Sequence, residues 1–139
     1  MKKRITDRIT DSDRNEVFNG LLAYNLDRID DKNPKDLGIY YEDENSHKVA
    51  GLIAQTHGNW LTIKYLWVAE HYRRQHIGSS LLEEAEQAAI ERGCKYVFLD
   101  TFDFQAPDFY KKHGYKEVFV LENYPRNGKR YYFTKSLSE

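Results

Sequence analysis

At 139 residues the chain is long enough for one domain with a real core. Basic and acidic residues nearly cancel, 21 against 22, and the net charge of −1 excludes bulk attraction to nucleic acid. A single cysteine, Cys94, excludes an intrachain disulfide, and no apolar run approaches the ~20 residues of a membrane span, so the expectation is a cytoplasmic protein without a membrane or nucleic-acid partner.

In chain order, Ile5 to Thr10 alternates and is expected as a short first strand. Asp11-Ser12-Asp13 offers N-caps, and Val17, Phe18, Leu21, Leu22, Leu26 and Ile29 recur at helical spacing, which predicts a helix from about Asp13 to Ile29. Asp30 to Pro34 reads as a loop. Leu37–Asp43, Lys48–Thr56 and Trp60–Val68 are β-like and are separated by the turns Glu44-Asn45-Ser46-His47 and Gly58-Asn59, the pattern of an antiparallel meander.

A helix from about Ile77 to Arg92 follows, with Ile77, Leu81, Leu82, Ala85, Ala88 and Ala89 on one stripe and Gly93 as its stop. Lys95–Thr101 is the next strand. A strand–helix–strand passage of this length implies a parallel crossover. Pro107–His113 is a short helix that begins on proline and ends at Gly114. Tyr115–Asn123 and Lys129–Ser136 are strands joined across Asn127-Gly128, a hairpin signal. The order βα-βββ-α-β-α-ββ describes one α/β (α+β) domain over residues 1–139, with a mixed, mostly antiparallel sheet flanked by helices.

Chemistry concentrates between Leu66 and Arg92. A strand ends at Val68, a basic loop Arg73-Arg74-Gln75-His76 follows, and Ile77-Gly78-Ser79-Ser80 opens the long helix. First-turn amides have no partner inside a helix, and the dipole adds roughly half a positive charge there. Two guanidinium groups add full charges. Gly78, lacking a Cβ, lets a phosphate approach the backbone. These residues describe a pyrophosphate cradle. It is not a P-loop, since no Gly-Lys-Ser/Thr follows. The histidines at 47, 57, 71, 76 and 113 lack metal-ligand spacing, so no metal is expected. Cys94 has no activating neighbour in sequence and reads as structural.

The chain resembles the GNAT superfamily of acetyl-CoA-dependent N-acetyltransferases. The family's Arg/Gln-x-x-Gly-x-Gly/Ala signature falls on Arg73-Arg74-Gln75-His76-Ile77-Gly78, and its Asn-x-x-Ala-x-x-Leu-Tyr-x-x-x-Gly-Phe feature falls on Asp103 to Tyr115. His76 stands where the family has its first glycine, and Asp103 replaces the usual asparagine. The resemblance implies an acyl-CoA N-acyltransferase fold and a cosubstrate, acetyl-CoA. Its pantetheine arm would bond to backbone at Trp67 and Val68, in a gap between the strand ending at Val68 and the strand at Val97–Thr101. Its diphosphate would sit on Arg73, Arg74, Gln75, His76, Ile77, Gly78 and Ser79. Tyr110 would give a proton to the departing thiolate. Glu70, Asp100 and Asp103 are candidate bases for the amine acceptor. The acceptor itself carries no readable code, and a homodimer is compatible with the final hairpin. Two alternatives stand beside the enzyme: a non-catalytic acyl-CoA-binding module of the same fold, and an unrelated protein whose basic loop grips RNA or nucleotides.

Overall fold

The computed structural model describes residues 1–137 and groups the chain into two compact units, Met1–Lys32 and Asn33–Glu139.

The first unit holds α1 (Asp11–Asn25). The strand expected at Ile5–Thr10 is not formed; Thr10 is instead the N-cap of α1. Its hydroxyl accepts from the Asp13 amide at 2.9 Å, and the Asp13 carboxylate accepts from the Thr10 amide at 3.3 Å. This reciprocal capping box satisfies an orphan amide at the helix start, and it wins because a lone alternating segment has no strand to pair with. These hydrogen bonds from Thr10 hold the Asp13 carboxyl below its usual range. The helix ends at Asn25, and the chain turns through Arg28 and Ile29, whose amides both bond to the Asn25 carbonyl.

The second unit is a six-stranded sheet in the order β1-β2-β3-β4-β6-β5. Its elements are β1 (Lys35–Glu42), β2 (Lys48–His57), β3 (Trp60–Val68), a 3-10 turn at Glu70–Tyr72, α2 (Ile77–Glu91), β4 (Tyr96–Phe102), α3 (Pro107–Lys112), β5 (Lys116–Glu122) and β6 (Lys129–Ser136). The meander β1–β2–β3 is antiparallel, and β3 and β4 are parallel across the α2 crossover, as the chain order implied. The final strand inserts between β4 and β5, so both of its neighbours run antiparallel to it.

Alternation in the strands and the stripe on α2 build one core. Leu81, Leu82, Ala85 and Ala89 of α2 pack with Ala50, Leu52 and Ala54 of β2, Leu61 and Ile63 of β3, Val97 and Leu99 of β4, and Phe133 of β6. Each Leu, Ile, Val or Phe among them contributes ~1.5–3 kcal/mol when fully buried, and each alanine methyl less. At the C-terminal end of α2, Arg92 donates to the Asp36 carbonyl and the Thr56 hydroxyl, both at 3.1 Å, which anchors the helix to the meander. The β5–β6 connection is not a two-residue turn. It runs from Asn123 to Gly128, closed by the Tyr124 amide on the Gly128 carbonyl at 2.9 Å. A Cβ at Gly128 would stand 2.8 Å from the Tyr124 carbonyl oxygen, so close backbone approach explains the glycine.

A polar anchor joins α2 to the far half of the sheet. Glu86 accepts from the Tyr115 hydroxyl at 2.8 Å and from Lys135 Nζ at 2.9 Å. Burial and the Glu86 carboxylate push the Tyr115 phenol well above its ordinary pKa. Glu86→Ala would leave a buried hydroxyl and a half-buried ammonium without their acceptor. We expect a loss of about 2–3 kcal/mol and a melting midpoint lower by about 5–10 °C. A shift under about 1 °C by calorimetry would mean that this anchor adds nothing to the fold.

Candidate active site

The site begins where two parallel strands part. β3 and β4 pair from Trp60↔Tyr96 to Ile63↔Leu99 and no further, although β3 continues to Val68 and β4 to Phe102. The cause lies in β3. The β2–β3 register jumps from Ala54↔Ile63 to Ile53↔Tyr65, so Lys64 is an extra residue on β3. A bulge bends its strand and raises the local twist, and here it falls just after the last parallel pair. The result is a wedge-shaped cleft of about 1380 Å³ between Lys64–Val68 and Asp100–Phe102, closed at one end by the loop before α2.

By alternation, the peptide groups of Trp67 and Ala69 face β2, where the Ala69 amide bonds to the Val49 carbonyl at 2.8 Å. Those of Leu66 and Val68 therefore face the wedge. Arg73 Nε donates to the Val68 carbonyl at 3.0 Å, which folds the basic loop back over the strand end.

The loop then turns sharply. Arg74 has φ 67° and His76 φ 62°, both left-handed, and His76 is the N-cap of α2 without a side-chain cap bond. Among the described residues, no acceptor meets the amides of Ile77, Gly78 and Ser79, which open the helix on the cleft wall. Gly78 faces inward: a Cβ there would lie 3.5 Å from the Phe109 ring and 3.9 Å from Val68. The Ser79 hydroxyl is 2.9 Å from His113 Nε2, so α2 and α3 are tied together beside the loop.

Tyr110, on α3, is buried against Phe109, Tyr115 and Phe133 and lines the cleft. Burial first, and the charge of Asp100 second, raise its phenol from 10.0 to about 12. The hydroxyl has no hydrogen-bond partner among the described residues, so it is free to donate into the cleft. Asp100 is held by Arg130, Nη2 to Oδ2 at 2.8 Å. The same guanidinium lies over the rings of Phe102, Tyr124 and Tyr132.

Comparison with known proteins places this arrangement. The acetyltransferase (GNAT) domain family matches residues 35–117. The chain belongs to the GNAT acetyltransferase family. An acetyltransferase of Agrobacterium fabrum is 34% identical over 101 residues, 73% of this chain and 74% of that one. The blasticidin-S acetyltransferase of Streptomyces morookaense is 36% identical over 83 residues, 59% of this chain and 61% of that one. A crystal structure of an acetyltransferase from Bacillus cereus superimposes with a TM-score of 0.82 at 32% identity, covering 96% of this chain and 97% of that chain. The GNAT chain is therefore an acyltransferase with the acyl-CoA N-acyltransferase fold.

Of the residues singled out in this GNAT sequence, Trp67, Val68, Arg73, Arg74, His76, Ile77, Gly78, Ser79 and Tyr110 line the one cleft. The Trp67 peptide group faces β2, so Leu66 offers its backbone to the edge beside Val68. Gln75 is outside the lining, and its side chain donates from Nε2 to the His71 carbonyl at 3.3 Å. Among the three candidate bases, Asp100 lines the cleft and Glu70 and Asp103 do not. Sequence reasoning missed Arg130, Lys64 and Phe109. Only Phe109 carried a signal, its adjacency to Tyr110; the others reach the site through a sheet insertion and a bulge.

His76 in a left-handed conformation explains why the GNAT pattern has glycine there. A side chain at positive φ costs about 1 kcal/mol. His76→Gly is expected to raise stability by up to about 1 kcal/mol, read as a melting point higher by ~2–4 °C. A lower melting point would mean that the imidazole holds the loop.

Proposed function

We propose that this enzyme moves the acetyl group of acetyl-CoA onto a primary amine, by direct attack while both are bound. The observation that carries this is the wedge: an unpaired β3 edge leading to a helix N-terminus whose amides meet no acceptor among the described residues. An extended pantetheine arm needs peptide partners along one edge, and Leu66 and Val68 supply them. A diphosphate needs N–H donors and positive charge, which the amides of Ile77, Gly78 and Ser79 and the side chains of Arg73 and Arg74 offer. Gly78 keeps the space beside Phe109 and Val68 open. The residues thus fit the group. When bound, it supplies an activated acyl carbon.

The chain's own side chains do the rest. The acceptor must be neutral to attack, yet an alkyl amine with a pKa near ~10.4 is neutral in under about one part in a thousand at pH 7. Asp100, in the cleft beside Tyr110, is the carboxylate that draws the ammonium in and takes its proton, directly or through water. As the N–C bond forms, the C–S bond breaks and its electron pair goes to sulfur, where the Tyr110 phenol donates its hydrogen bond. Over the cycle the ammonium loses two protons: the first passes through Asp100 to solvent, and the second, shed as the amide forms, ends on the thiol of coenzyme A.

Calorimetry with coenzyme A and free-thiol release from acetyl-CoA with added amines test this reading. Heat on binding, followed by amine-dependent thiol release, is the expected result. No heat with coenzyme A would sink the donor assignment. Binding without thiol release from any amine would sink the transfer.

A further inference from the structure

β4 sends Val97, Leu99 and Thr101 into the core, so Phe98, Asp100 and Phe102 face the other way. Beyond the Lys64 bulge, Leu66 and Val68 pack on the core and Tyr65 and Trp67 turn outward. Two aromatic walls therefore flank the mouth of the wedge. Tyr65 and Trp67 stand on one side, 71% and 50% exposed. On the other, Phe102 and Phe104 stack at 5.1 Å, with Phe104 76% exposed. All four line the cleft. Large rings left open at the rim of a cleft are surface that a ligand can cover. The lining charges narrow the ligand further. Asp100 is the only carboxylate among them, against the cations Lys64, Arg73, Arg74, Lys112 and Arg130.

We infer that the acceptor is a singly charged amine carried on a flat aromatic or heteroaromatic ring, the ring lying between Trp67 and Phe104 with its ammonium toward Asp100. A flat ring uses a π face on each side, which an alkyl chain cannot do. A polyamine would bring its further charges against Lys64 and Arg130 with no carboxylate to meet them. Asp100 has room for one ammonium, since Arg130 already holds its Oδ2. This inference rests on the acetyl-transfer reading above.

The test measures kcat/KM by thiol release for 3-phenylpropylamine, n-hexylamine and spermidine, after calorimetry with coenzyme A. The arylalkylamine should exceed hexylamine by about tenfold or more, with spermidine poorest. Phe104 is exposed and outside the core, so Phe104→Ala should fold. It should cut the aryl-to-alkyl ratio below about threefold, and Phe104→Tyr should keep it near the starting value. Equal kcat/KM for the two monoamines, a ratio unchanged by Phe104→Ala, or spermidine as the best acceptor would overturn the inference while leaving acetyl transfer in place. Coenzyme A that binds with none of the three amines turned over overturns it as well. Absence of coenzyme A binding overturns it together with the donor assignment.

Discussion

Tyr110→Phe is expected to lower kcat about 100-fold, near 2.7 kcal/mol in the barrier, while KM for acetyl-CoA changes less than about threefold. The low end of the range for acid catalysis follows from the phenol's own environment. A tyrosine of ordinary pKa 10 could protonate a thiolate of pKa ~8.5 at small cost. Burial and Asp100 move Tyr110 to about 12, so full transfer to a solvated thiolate is steeply uphill. The same desolvation acts on a sulfur in the cleft and raises its basicity, which brings the two closer. The phenol then acts through a hydrogen bond that strengthens as charge builds on sulfur. Removing the hydroxyl strands no partner among the described residues, so the folded state should tolerate the change.

The raised pKa also predicts behaviour in alkali. Between pH 10 and about 12 the unfolded tyrosine ionises while the folded one keeps its proton. The folded state then binds more protons, so stability falls as pH rises through that window and is intact below it. Activity should show no loss from Tyr110 ionisation below about pH 11. A kcat for Tyr110→Phe within about threefold of the parent would remove the phenol from the mechanism.

Gly78→Val carries the second large effect. The structure has room for a Cβ at ordinary distance from Phe109 and Val68, but not for two further methyl groups without closing the cleft between them. Affinity for coenzyme A should fall at least about tenfold by calorimetry, ~1.4 kcal/mol or more, with the melting point little changed. Gly78→Ala serves as the control: it should stay within about threefold in affinity and gain slightly from better helix propensity. Equal affinity in the valine variant would place the diphosphate elsewhere.

Most of the scaffold was readable without coordinates because its signals are local. β3 and β6 match their expected bounds, and α2 starts at Ile77 as its apolar stripe required. Gly93 and Gly114, at φ 89° and 88°, stop their helices as a residue free of Cβ strain should. The loop Arg73–His76 and the amides behind it were legible for the same reason, since a basic turn and a helix start are neighbours in sequence. Ile5–Thr10 misled because alternation alone does not make a strand when the capping box from Thr10 to Asp13 competes for the end of the same segment.

The sequence by itself determined the helix whose N-terminus opens on the cleft and the guanidinium groups beside it, and it singled out Gly78 and Tyr110, which line that cleft. Their spacing and chemistry are written in short stretches of chain. Only the tertiary structure decided that Lys64 bulges and so parts β3 from β4 after Ile63↔Leu99. Only it decided that Leu66 rather than Trp67 offers its peptide to the gap, and that Arg130 reaches Asp100. These depend on strand register and on β6 entering the sheet between β4 and β5. Both are set by pairing between residues far apart in the chain, which no local pattern of side chains encodes.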